Sequence, residues 1–262
     1  MPVSERQRRE IVSAMLMAET SCREGDLTDG QVHIVKKRPE DRDLPAHRRF
    51  AAHPGSMQVV TLGVGAVVAA DGEHIRWARA AYSGQDRDGV FDPVRTGEAA
   101  RYWAQFDRKV FGPFPRFSGS SKTVQRCKAP TGYRVDIKGE EILSGLDKTT
   151  WPNATPSSHP ARPIVFAAVA YAGADGDDFA GVASVTADSD FMWQIGIDVA
   201  PGHQGKGVGA AIASRAALEV LSQGRVPYWG ATNSNVPSIR TALAAGLVLT
   251  YVEVLTRPAQ RA

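Results

Sequence analysis

Apolar positions recur along this chain with two different periods. Ile11, Met15 and Ala18 fall on one helical face, and Ser4 with Gln7 has capping-box spacing, which predicts a helix over 5–20. Residues 21–55 carry many Asp, Arg, Pro and His side chains without periodicity and read as a long surface loop. Runs at 57–62 and 64–69 read as strands turning around Gly63, and 74–82 as a short helix. From Phe111 to Ser120, glycine and proline interrupt every regular pattern, which places a domain boundary near residue 118. The aromatic residues in that stretch read as packing at the junction, with a substrate or partner surface as the alternative.

The second half is more regular. A strand over 133–137 and a short helix over 139–146 precede two apolar runs, 164–171 and 179–186, on either side of a glycine- and aspartate-rich hairpin turn at 173–178. The next strand, 192–199, contains Gly196, which marks either a bulge or a close backbone approach. Val208, Ile212, Ala216 and Val220 form the apolar stripe of a helix over 208–223, followed by a strand over 226–231. Asn235 reads as an N-cap, Pro237 is tolerated in the first turn, and Gly246 ends that helix in the left-handed conformation. A late apolar strand, 247–255, either completes the sheet or pairs across a homodimer.

The strand, turn and helix start from Asp198 to Ala210 carry the clearest chemistry. Gly205, Gly207 and Gly209 sit where a helix begins. There, free backbone N–H groups and roughly half a positive charge favour an anion, and glycine lets a phosphate approach. A Walker loop requires Ser or Thr after the lysine, but Gly207 follows Lys206. A dinucleotide fingerprint is matched loosely by Gly205, Gly207 and Ala210, yet the next strand ends in Thr232-Asn233-Ser234-Asn235, with no carboxylate for a ribose.

Gln204-Gly205-Lys206-Gly207-Val208-Gly209 instead resembles the Q/R-x-x-G-x-G/A signature of the GCN5-related N-acetyltransferases, the GNAT superfamily. The element order from Tyr133 to Leu255 is similar to that family as well. The resemblance implies an α/β fold: a GNAT-type mixed, twisted sheet flanked by helices at 119–262, with a smaller, reduced accessory α/β domain at 1–118. It implies acetyl-CoA as cosubstrate, with no metal. Gln204, Gly205, Lys206, Gly207, Val208, Gly209 and Ala210 would cradle its pyrophosphate. The backbone of Ile197 and Val199 would hold the pantetheine arm where the strand splays from its neighbour, with the acetyl carbonyl near Val199. Asn235, or Asn233, would contact the CoA moiety.

The same resemblance exposes two departures. Trp193 stands where the family often has a Glu, and Ala242 where it often has a Tyr. Attack of a neutral amine on a thioester needs a proton acceptor and benefits from a donor to the thiolate. Asp198 is the first candidate base, ahead of Asp188, Asp190 and His203; Tyr251 or Ser238 is the candidate acid. Each also has a structural reading, Asp198 in pairing with a neighbour and Asn235 in capping. The expected activity is an acetyl-CoA-dependent N-acyltransferase acting on a small primary amine, with the segment 36–49 closing over the acceptor. The alternative is a non-catalytic acyl-CoA-binding or sensing module.

Composition narrows the partners. A chain of 262 residues, 43% hydrophobic, has material for one large core or two small ones. A formal charge of +3 with only Lys36-Lys37-Arg38 clustered argues against nucleic acid. The apolar runs at 59–70 and 163–174 fall short of the roughly 20 residues that cross a bilayer, and the basic N-terminus leads into no signal-like apolar segment, so a cytoplasmic protein without membrane contact is expected. Cys22 and Cys127 lack metal-ligand spacing and read as free thiols.

Overall fold

The computed structural model describes residues 3–49, 56–155, 162–173 and 178–259. In chain order its main elements are α1 (Glu5–Thr20), β1 (Val32–Lys36), β2 (Met57–Thr61), β3 (Ala66–Ala70), α2 (Ile75–Tyr82), α3 (Pro93–Ala104), β4 (Arg108–Ser118), β5 (Tyr133–Lys138), β6 (Ile164–Ala172), β7 (Phe179–Ala187), β8 (Met192–Val199), α4 (Val208–Ser222), β9 (Val226–Gly230), α5 (Val236–Ala244) and β10 (Val248–Pro258). The fold is mixed α/β. The chain forms two compact units: Met1–Arg9, Phe117–Trp229 and Asn235–Val248 make the loop unit, and Glu10–Arg116, Gly230–Ser234 and Leu249–Ala262 the companion unit. At the start of α1 the capping box closes in both directions, with Gln7 N–H donating to Ser4 Oγ at 3.3 Å and Ser4 N–H to Gln7 Oε1 at 2.9 Å.

In the companion unit the strands run in the order β1-β3-β2-β10-β4. β2 and β3 are buried along their whole lengths, as short runs rich in Val and Ala on a doubly covered sheet should be, and they pair as an antiparallel hairpin. Two expectations are corrected here. The segment 21–55 is not all loop, because Val32–Lys36 pairs in parallel with β3. Only a distant partner makes a strand of that five-residue run, so local periodicity missed it. Nor does the proline-rich stretch break the chain: β4 runs through it to Ser118. Proline's fixed φ suits extended backbone, and prolines two residues apart, at 113 and 115, withdraw N–H groups from the same edge. β10, whose pairing the sequence left open, is antiparallel to β2 in this unit.

Glu19, Arg48, Arg116 and Glu253 form a buried charged network in the companion unit. Arg48 donates to Glu19 through Nε (2.5 Å) and Nη2 (2.7 Å) and to Glu253 through Nη2 (2.9 Å). Arg116 Nε reaches the other Glu253 oxygen at 2.6 Å, and Gln58 Nε2 bridges both carboxylates at 2.7 and 3.2 Å. Glu253 is fully buried. Burial alone would raise its pKa; the Arg116 and Arg48 guanidiniums outweigh that and hold it well below its ordinary value. Arg48 thereby anchors the end of the segment 36–49 to this unit, while most of the segment is exposed. Gly230 has no Cβ because Arg116 passes directly over it.

In the loop unit the order is β9-β8-β7-β6-β5, with β5 to β8 successively antiparallel and β8 parallel to β9. The hairpin turn expected between β6 and β7 falls in part on 174–177, outside the described residues. The helix expected over 139–146 is a shorter 3-10 turn, Glu140–Leu143. α4 buries Val208, Ile212, Ala216 and Val220 as its stripe requires.

Removing one partner from the buried network leaves a charge uncompensated, so Arg48→Ala is expected to cost about 3–5 kcal/mol in urea unfolding at neutral pH. A carboxylate whose folded pKa is depressed stabilises the fold above its unfolded value and loses that contribution as pH falls. Wild-type stability should therefore decline as pH drops below 4.5, the ordinary value for Glu253. Glu253→Gln should be less stable at neutral pH and show a flatter decline in the same urea titrations.

Candidate functional site

β8 and β9 pair over only three residues, Met192 with Val226, Trp193 with Pro227 and Gln194 with Tyr228. Beyond Gln194 the strands part, while β8 stays in register with β7 as far as Val199. Ala200 N–H donates to Ala180 O at 3.0 Å, which fixes the phase of that ladder. Residues 194, 196 and 198 turn their peptide groups to β7, and Ile197 and Val199 turn theirs to the side that β9 has left. One of these groups is used locally: Gln204 Nε2 donates to Val199 O at 2.9 Å. Gln204 thus ties the strand to the turn that follows.

That turn contains the 3-10 segment Pro201–His203, then Gly205 at φ +72° and Gly207 at φ +87°. Side-chain-bearing residues avoid this region, so both glycines are conformational requirements. Gly207 is the N-cap of α4, and Gly205, Lys206 and Gly207 are exposed at the head of this 15-residue helix. Val208 is buried as a core residue; Gly209 and Ala210 are half-buried. A Cβ on Gly209 would stand 3.3 Å from Thr241 and 3.5 Å from Val199, so this glycine keeps helix, strand and α5 close. A strand with an open edge, leading into a glycine-headed helix, has the shape and polarity that suit an elongated ligand with an anionic end.

The other candidates have defined surroundings. Both Asp198 oxygens are engaged: Asn153 N–H and Ala154 N–H donate to Oδ2, and Asn153 Nδ2 to Oδ1, each at 2.7 Å. Asp188 is fully buried and takes Arg162 Nε (2.6 Å), Thr186 Oγ1 (2.9 Å) and a short bond from Tyr228 Oη. His203 is held by Tyr133, whose hydroxyl lies 2.9 Å from its Nδ1. Asn235 caps α5 by accepting from Ser238 N–H at 3.1 Å, and Ser238 Oγ accepts from Trp229 Nε1 at 3.0 Å. Tyr251 belongs to the companion unit, where it is buried and its phenol pKa is raised by that burial. Trp193 is half-buried, with the Arg225 guanidinium 6.0 Å from its ring centre.

Sequence reasoning missed Asn153 and Ala154, which contact Asp198 across 45 and 44 positions. It also missed Tyr133 beneath His203 and Pro130, whose ring carbon would lie 3.5 Å from a Cβ on Gly207. The only local clue was Gly196. A Cβ there would stand 2.3 Å from the Asn153 carbonyl oxygen, so a close backbone approach, with no register shift, explains this glycine.

Comparison with known proteins adds to this geometry. Residues 143–246 match the model of the acetyltransferase (GNAT) family. No curated protein sequence matches this chain. Among solved structures it is similar to a GCN5-related N-acetyltransferase from Kribbella flavida, at 15% identity and TM-score 0.44, over 60% of this chain and 62% of that one. A GCN5-related N-acetyltransferase-like protein from Streptococcus suis is similar at 13% identity and TM-score 0.45, over 78% and 84%. A tandem GNAT protein from the clavulanic acid biosynthesis pathway is similar over 100% of this chain and 98% of its own length, at 14% identity and TM-score 0.43. The described residues include no helix long and apolar enough to cross a membrane.

A capping role for Asn235 has its own test. Asn235→Ala should lower stability by about 1 kcal/mol and Asn235→Ser should retain most of it, measured by denaturant unfolding. A fall in acetyl-CoA affinity in both variants would instead mark a ligand contact.

Proposed function

We propose that the protein is an acetyl-CoA-dependent N-acyltransferase acting on a small primary amine. The observation that carries this reading is the parting of β8 from β9, which leaves peptide groups of Ile197 and Val199 on an open edge that ends at the glycine loop. Their spacing along an extended strand suits the amide-bearing pantetheine arm. The N–H groups at the head of α4, with Gly205 and Gly207 free of side chains, suit its pyrophosphate, and Lys206 adds a positive charge beside them. When bound, acetyl-CoA supplies an acyl group activated as a thioester.

The chain's own part is then to hold the two reactants and to manage one proton. Asp198 and Asp188 are each engaged by three donors, which disfavours either as the base. Ser238 retains a hydroxyl proton while accepting from Trp229. With weak assistance from bases, an amine with an appreciable neutral fraction near pH 7.5 is favoured: an α-amino group, with a pKa of about 8, over an alkylamine near 10.4. A cytoplasmic enzyme with no nucleic-acid or membrane partner, and with homodimer formation open, completes the proposal.

A second reading has a specific observation behind it. Trp193 and Ala242 occupy the positions of the usual Glu and Tyr, which suits a domain that binds acyl-CoA without turning it over.

Calorimetry with acetyl-CoA, followed by CoA release against a panel of amines, separates the two. Saturable binding with amine-dependent release is expected, faster for α-amino compounds than for alkylamines at pH 7.5. Binding without release across the panel supports the binding module, and no binding overturns both. Gly207→Val forces a β-branched residue to positive φ and should abolish acetyl-CoA binding with the fold retained by circular dichroism.

A further inference from the structure

On the acetyl-CoA reading above, we infer that Asp198 is a positioning residue: it clamps the 151–155 turn across β8 and so holds the open strand edge in shape for the cofactor. Beyond Gln194 this strand has a ladder on one edge only, because β9 has parted from it. A segment paired on one side bends easily unless its faces are supported. On one face the support is α4, where Val199 meets the helix start at Gly209 and Gly181 meets Val208 and Ile212. Gly196 and Asp198 point to the opposite face, two residues apart along the strand. There the turn lies on the backbone itself, its Asn153 carbonyl over Gly196.

Asp198 fastens that turn. Successive N–H groups of Asn153 and Ala154 converge on Oδ2, and the Asn153 side chain completes the grip on Oδ1, each at 2.7 Å. These are charge-assisted bonds to an anion cradled by two backbone amides. Trp151 and Ala154 are buried in the small core with Leu143, Val169 and Val182, so the turn is a fixed support and not a free loop. Asp198 shares the strand with Ile197 and Val199 but lies on the opposite face from them, and its effect on the ligand passes through the backbone.

The test separates the two halves of the cofactor. Acetyl-CoA engages both the strand edge and the glycine loop, whereas adenosine 3′,5′-bisphosphate engages the loop alone. Asp198→Ala removes the clamp, Gly196→Ala pushes the Asn153 carbonyl away, and Asn153→Asp, at an exposed position, sets a second carboxylate against Asp198. Each should weaken acetyl-CoA binding about tenfold by calorimetry while the bisphosphate, followed by ligand-observed NMR, changes less than about twofold. Gly207→Val should lose both probes. Unchanged acetyl-CoA affinity in Asp198→Ala and Asn153→Asp overturns the inference, and so does an equal loss of both probes, the mark of general structural damage. A wild-type protein that binds neither probe overturns the acetyl-CoA reading instead.

Discussion

The site depends on one structural constraint: β8 must leave β9 after Gln194 without losing its register with β7. A strand that kept both neighbours would spend all its peptide groups on the sheet and have none for a ligand. A strand that lost both would have no fixed shape. Holding one ladder and giving up the other turns peptide groups of Ile197 and Val199 to the edge that β9 has left, in a fixed geometry, with the Val199 carbonyl taken by Gln204. Unpaired backbone groups in a sheet interior are costly, so they persist where something else supplies the partner. The glycine loop extends the same strand. Gly205 and Gly207 reverse the chain so that α4 starts with its N–H groups where the open edge ends.

Two buried polar networks show contrasting ways of stabilising such an arrangement. In the loop unit, Asp188, Arg162, Thr186, Gln194 and Tyr228 are joined where β8 and β9 still pair. Gln194 and Tyr228 are the last matched pair before the strands part, so a hydrogen-bonded cluster sits at the root of the opening. In the companion unit, the Glu19–Arg48–Glu253–Arg116 network fixes a segment with little secondary structure of its own. Buried ion pairs add little net stability relative to an apolar core, but they tolerate few alternative arrangements. Their role here is to fix which residue meets which.

Much of this was legible in the sequence where the signal is local. The capping box at Ser4 and Gln7, the stripe of α4, the Asn235 cap and the positive φ of Gly246 all follow from residue types within a turn or two of one another. What escaped depends on distant partners. The run Val32–Lys36 is a strand because β3 lies beside it, and the prolines of β4 are tolerated because their missing donors fall on one edge. Asp198 reads from sequence as the first candidate base, with pairing to a neighbour as its structural alternative. Its hydrogen-bond partners lie 44 and 45 positions away, in a turn that shows no sequence motif, so nothing local revealed that its charge is already committed.

That commitment bears on how a transferase can work without the family's usual Glu and Tyr. Bringing an amine and a thioester together in a reactive geometry is worth on the order of 7 kcal/mol or more, whereas a well-placed general base typically contributes about 10²–10⁴-fold, or roughly 3–5 kcal/mol. A site that gives up the smaller term can retain the larger one only if its strand edge is rigid. Trp193 and Ala242 remove the side chains that would manage protons, while Gln204, Gly196 and the Asp198 clamp constrain the backbone that would hold the cofactor. On the proposed reading, side-chain chemistry at the strand is exchanged for precision of the main chain, and the burden of deprotonation falls on the acceptor amine.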